Sequence, residues 1–135
     1  MRGRLEGAGS PRECRRDYWG PVLDAPDAVA LARFYAEFLG WEITKEEPGW
    51  ATIAPPDGVA YLGFHADPGY VAPVWPPVEG RQRMMMHLDF EVTDLDAAVS
   101  HALELGAREA GHQPQDDVRV MLDPVGHPFC LFVDA

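Results

Sequence analysis

One pattern occurs twice in this chain and restricts its fold more than any other feature. An aspartate suited to a helix N-cap, a helical run closed by glycine and a β-rich stretch broken by turns appear from Asp27 and again from Asp94. In the first copy YWGPVLDAPD reads as a short strand entering a turn. AVALARFYAEFLG follows as a helix whose Val29, Leu31, Phe34, Phe38 and Leu39 recur at helical spacing, and WEITKEE, WATIAPP and VAYLGFHA read as three strands. The second copy runs MMMHLDFEVTD, LDAAVSHALELG, REAGHQ, DVRVMLD and HPFCLFVD. Laying Asp27 on Asp94 and Gly40 on Gly106 superposes the helices, and laying Gly58 on Gly126 matches PPDGVAYLGF to DPVGHPFCLF. Each copy is a βαβββ unit with too few strands to bury its own sheet, so the two are expected to fold as one α+β domain. The expected helices span 28–39 and 95–105. Module one covers about 18–66, an ordered Pro-rich connecting loop about 67–83, and module two about 84–135.

Composition narrows the partners. The chain has 135 residues and a net charge of −11, yet five of its eleven basic residues, Arg2, Arg4, Arg12, Arg15 and Arg16, lie in the first sixteen positions beside only Glu6 and Glu13. The remainder therefore carries six basic and twenty acidic residues. Such a surface repels phosphate backbones and argues against nucleic-acid binding, while it favours solubility and attracts cationic ligands. Residues 1–17 lack hydrophobic periodicity and are expected to form a disordered Arg-rich leader. They carry charge where a signal peptide needs an apolar centre, and no apolar run is long enough to span a bilayer, so the expectation is a cytoplasmic protein with no membrane partner. Cys14 and Cys130 have neither the spacing of a metal finger nor the setting of a structural disulfide.

Three segments, LDAPDAVALARFYAEFLGW, MHLDFEVTDLDAAVSHALELGA and DPVGHPFCLF, taken in this order, resemble the glyoxalase-like, bleomycin-resistance-like branch of the vicinal-oxygen-chelate superfamily. The resemblance covers Tyr18 to Ala135 and implies two tandem βαβββ modules that form a U-shaped mixed sheet, with helices on the convex side and a ligand on the concave side. Period-two alternation along MHLDFEV then sends Leu88, Phe90 and Val92 under the helices and His87, Asp89 and Glu91 toward the cavity. Trp50 and Phe64 are expected to supply aromatic walls, and Trp75 in the connecting loop a lid or a dimer contact.

Metal-dependent members of that superfamily hold an ion with a His near the start of each module's first strand and a Glu on each module's last. Here the second-module positions fall on His87 and Cys130, and the first-module partners fall on Gly20 or Pro21 and on Leu62. Two donors fall short of the three or four of a zinc centre, so no metal and no other cofactor is expected. Alternation from Leu62 puts His65 on the opposite face. His101 and His112 read as surface residues, and His127 as part of a turn.

The ligand-binding set expected from these positions is His87, Asp89, Trp50, Phe64, Leu62 and Cys130. The missing ligands, the aromatic side chains and the acidic body point to a metal-independent small-molecule binder that sequesters an antibiotic or metabolite, in the manner that the resemblance implies, as a homodimer. The alternative is a lyase, isomerase or hydrolase in which His87 does acid-base chemistry beside Asp89 or Glu91. A metal-dependent dioxygenase ranks third, because its two-His, one-carboxylate face is not assembled.

Overall fold

The computed structural model describes residues 19–57 and 60–134, so the expected leader at 1–17 lies outside the described residues. Two compact units part between Pro68 and Gly69. The first holds β1 (Val22–Ala25), α1 (Ala28–Leu39), β2 (Glu42–Glu47), β3 (Trp50–Ala54) and β4 (Leu62–Ala66), and the second holds β5 (Leu88–Glu91), α2 (Leu95–Glu104), β6 (Arg108–Glu109), β7 (Val118–Leu122) and β8 (Pro128–Phe132). The sheets follow the same plan, β1-β4-β3-β2 and β5-β8-β7-β6. In each, the first strand runs parallel to the last and the other neighbours are antiparallel. This is the tandem βαβββ arrangement of an α+β protein.

Local chemistry sets the helix ends. Asp27 adopts an extended backbone, and its carboxylate accepts the Ala30 amide at 3.0 Å. Asp94 does the same for Ala97 at 3.0 Å. Each carboxylate satisfies one of the amides that a helix start leaves without a partner, and its negative charge sits favourably at the positive end of the helix dipole. α1 closes on Gly40, whose φ of 68° is open to glycine without steric cost.

The cores follow from which helix face turns inward. In the first unit α1 buries Leu31, Phe34 and Tyr35, and Tyr35 stacks on Phe64 of β4 with ring centroids 5.8 Å apart. Each such side chain contributes roughly 1.5–3 kcal/mol of burial. Tyr35 stood outside the expected apolar stripe, while Val29, Phe38 and Leu39 of that stripe are half-buried. In the second unit Phe129, Leu131 and Met121 are fully buried, whereas α2 buries only Ala102.

Asp123 is fully buried beneath the β7–β8 turn, and its carboxylate accepts the amides of Val125 and His127, both at 3.0 Å. His127 thus helps to close the turn. Trp75 packs against His112 and donates its indole N–H to the His112 carbonyl at 3.1 Å, and Tyr70 donates to the Val125 carbonyl at 3.0 Å. Among the described residues no helix is long and apolar enough to cross a membrane.

Replacing either cap, Asp27→Ala or Asp94→Ala, is expected to cost about 1 kcal/mol and lower Tm by a few degrees, with Asn at either position restoring most of the loss. Thermal melts followed by circular dichroism measure both effects.

Candidate functional site

The second unit gathers the reactive side chains because of one strand pairing. Along β5, Leu88 and Phe90 turn toward the core, and Phe90 meets Phe129 edge-on at 6.1 Å. His87, Asp89 and Glu91 therefore turn to the other face. β5 lies parallel to β8 with Asp89 directly opposite Cys130. His87 Nε2 stands 3.0 Å from Asp89 Oδ1, and the donor atoms of His87, Asp89 and Cys130 all lie within 4.8 Å of one another. β5 is the outer strand of its sheet. That position leaves the His87 and Asp89 side chains 37% and 57% exposed, so water lightens the cost of three polar groups in a row.

A cleft of about 290 Å³ opens over this cluster, with Asp117, Asp134, Val118 and Phe132 among its other lining residues. Phe132 shares the parity of Cys130 along β8, which is the signal that could have marked it in the sequence. Asp117 and Asp134 come from the segments flanking β7 and β8, and no periodicity marks them. Asp89, Asp117 and Asp134 give the cleft an acidic lining. Burial pushes the Cys130 thiol up to about 11, and the charge of Asp89 and a hydrogen bond to its carboxylate push the same way. The thiol is therefore protonated at neutral pH and is a poor nucleophile, since thiolate is the reactive form.

The first unit does not repeat this cluster. Val22 pairs with Gly63 and Leu88 with Phe129 at the same sequence separation, so laying the two caps together places Gly63 on Cys130, Val22 on Asp89 and Gly20 on His87. The match of Gly58 to Gly126 was one residue out of step, and in a strand one residue reverses the face. Leu62 and Phe64 are accordingly corrected: both are buried, and Phe64 stacks on Tyr35 beneath α1. Trp50 belongs to the open face, directly opposite His65. His65 shares that face, with Nδ1 3.1 Å from Asp24 Oδ1, a pair that the sequence reading missed through the same slip of register.

Two close approaches explain why the first unit supplies no matching donors. A Cβ at Gly20 would fall 1.9 Å from the Tyr61 carbonyl oxygen, so no side chain fits there. A Cβ at Gly63 would fall 2.9 Å from the Trp50 ring, so the indole takes the space that Cys130 takes in the second unit. The symmetrical four-ligand centre of metal-dependent relatives therefore does not fit this chain. The count of two donors in the second unit is also corrected, because the pairing of Asp89 with Cys130 adds a carboxylate and makes three.

Paired βαβββ units with a polar cleft on the open face of a sheet define a class of small αβ proteins, and sequence comparison assigns the family. Residues 21–132 match the model of the glyoxalase-like domain, and the chain belongs to that family. No curated protein matches the sequence. Among solved structures, a glyoxalase/bleomycin resistance protein/dioxygenase family enzyme from Burkholderia phytofirmans PsJN is 18% identical, with TM-score 0.64 over 84% of this chain and 95% of that one. The antibiotic binding protein TnmS3 from Streptomyces sp. CB03234 is 19% identical, with TM-score 0.54 over 84% and 93%. A protein described as oxidase ChaP-H2 is 20% identical, with TM-score 0.62 over 88% and 94%. At these identities the likeness is one of fold, and the relatives differ in what they do.

Two outcomes test the assignment of faces and the state of the thiol. Leu62→Ala is expected to destabilise the protein by about 2–5 kcal/mol through an unfilled core cavity, which denaturant melts will show. At about pH 8 iodoacetamide is expected to modify Cys130 more slowly than an ordinary thiol, and Asp89→Asn to speed the reaction several-fold. Peptide mass spectrometry resolves Cys130 from Cys14. An unchanged rate in the variant would assign the protection to burial alone.

Proposed function

We propose that this glyoxalase-like protein binds and sequesters a small organic molecule in the cleft over His87, Asp89 and Cys130, and does so without needing a metal ion. The observation that carries the reading is the composition of the cleft: a hydrogen-bonding floor of His87 and Asp89, apolar contact from Phe132 and Val118, and a thiol whose protonated state suits packing better than attack. Three carboxylates favour a ligand that carries positive charge. The resemblance in fold to an antibiotic binding protein supports the same reading. As working form we propose a cytosolic homodimer, an arrangement supported by the exposed Met85 and Met86 that lead into the outer strand β5.

One observation favours a second reading, in which the chain is an enzyme. An imidazole nitrogen 3.0 Å from a carboxylate is an arrangement suited to proton transfer, so His87 would act as acid or base with Asp89 orienting it, in a lyase, isomerase or hydrolase step.

A thermal-shift screen of planar and cationic compounds finds candidate ligands, because binding to the folded state alone raises Tm. His87→Ala is then expected to weaken the best of them by roughly five- to thirtyfold, the worth of a hydrogen bond of about 1–2 kcal/mol to a polar or charged group, with the Tm of the free protein unchanged. Unchanged affinity together with a lower Tm would make His87 a structural residue and overturn the proposal. Recovery of the ligand chemically altered after incubation would favour the enzyme.

A further inference from the structure

The two modules use the segment after the helix differently. In the first, β2 runs beside β3 from Glu42 opposite Ala54 to Glu47 opposite Trp50. In the second, β6 meets β7 only at Arg108 and Glu109, and the chain then leaves the ladder and re-enters the sheet as β7 at Val118. The released segment supplies Gln115 and Asp117 to the lining of the cleft. We propose that Gln113 is the positioning residue of that wall: its side-chain amide holds the segment 111–117 in place and so sets the preference of the cleft for positive charge. The inference rests on the cleft as the binding site and adds the residue that shapes its selectivity.

The Gln113 amide stands in for backbone that the short β6 does not supply. Ala110 donates its N–H to the Val120 carbonyl at 2.9 Å, as a strand residue would, but the Val120 N–H turns to the Gln113 side-chain oxygen at 2.8 Å. Gln113 Nε2 donates in turn to the Ala110 and Val120 carbonyls, both at 2.9 Å. The amide is thereby inserted between two buried residues, Ala110 and Val120. A primary amide of this length supplies an acceptor and two donors together. Glu lacks the donors, Asn is a methylene short, and an apolar side chain would take these partners from the Val120 amide and the Ala110 carbonyl.

Further contacts fix the segment on either side of Gln113. The Trp75 indole holds the His112 carbonyl at 3.1 Å, and the Val133 amide donates to the Asp117 carbonyl at 3.3 Å. Arg119 directs its guanidinium to the Asp116 and Val118 carbonyls, both at 2.9 Å, and toward Glu109 at 3.7 Å. Among the described residues no ion pair neutralises Asp117. Its carboxylate is therefore held at one place on the wall with its attraction for cations intact, whereas on a loose loop the same charge would be spread over many positions and screened by water.

The test reads the cleft without any ligand. The full chain carrying Cys14→Ser keeps Cys130 as its one thiol, and Cys130 lines the cleft beside Asp89. Its rates of reaction with a trimethylammonium methanethiosulfonate and with a neutral methanethiosulfonate of similar size are measured, each divided by the rate for a small free thiol. The ratio of cationic to neutral rate reports local charge, because thiolate fraction and opening of the cleft affect both reagents alike. This ratio is expected to exceed unity, to fall about two- to fivefold in Asp117→Asn, to fall as far in Gln113→Met, and to fall no further when the two are combined. A merely structural role for Gln113 would lower Tm and speed both reagents equally, with the ratio unmoved. A parent ratio at or below unity, an unchanged ratio in Asp117→Asn or in Gln113→Met, or additive falls in the combined variant would each overturn the proposal. If Gln113→Met does not fold, Gln113→Asn, which keeps the amide but cannot span both backbones, is held to the same outcomes. The organic-ligand screen stands separately: its failure would not alter the ratio, and failure here leaves the cleft as a binding site whose wall is set by other residues.

Discussion

The parallel pairing of the first strand of each module with its last is the constraint on which the rest depends. A parallel pair cannot be closed by a tight turn, so the chain must travel through a helix and two further strands before it returns. That detour supplies the covering helix, and the returning strand brings the end of the module back to its beginning. In the second module the return sets Cys130 beside Asp89, and alternation of side chains along β5 adds His87 to the same face. Alternation over two residues joins His87 to Asp89, and the register of one ladder brings Cys130 to them from the far end of the module.

The two modules share this plan and have diverged in chemistry. Where the second module has room for side chains at His87 and Cys130, the first has glycines at both places, one backed by the Tyr61 carbonyl and the other covered by the Trp50 ring. The absence of a Cβ at Gly63 lets the Trp50 ring come close to the strand, and a Cβ there would fall 2.9 Å from the ring. The open face of the first module thereby becomes aromatic, with the Asp24–His65 pair beside the indole, while that of the second remains a polar cleft.

The environment of Cys130 decides which chemistry that cleft favours. Burial and a neighbouring carboxylate both disfavour the thiolate, so the sulfur of the free protein is a hydrogen-bond donor and a packing group, not a nucleophile. The acidic lining disfavours anions and draws positive charge toward His87 and Asp89.

Much of the architecture was legible in the sequence because the signals that specify it are local. Asp27 and Asp94 cap helices through contacts three residues away, Gly40 ends α1 by its own backbone freedom, and two copies of one pattern imply two copies of one fold. Alternation along one strand also sufficed to put His87 and Asp89 on a common face. What failed was the step between strands. Placing Leu62 and Phe64 toward the ligand rested on an alignment one residue out, and a single residue exchanges core for cleft along a whole strand. Asp89 as a partner of Cys130, Trp50 as the cover of Gly63 and the pairing of His65 with Asp24 all depend on register between segments some forty residues apart or less. The sequence by itself determined which elements form and in what order, since capping, periodicity and turn chemistry act within a few residues. Only the tertiary structure decided which side chains meet, because that follows from the ladder between strands, where a hydrogen-bond register set by the whole sheet fixes every facing pair.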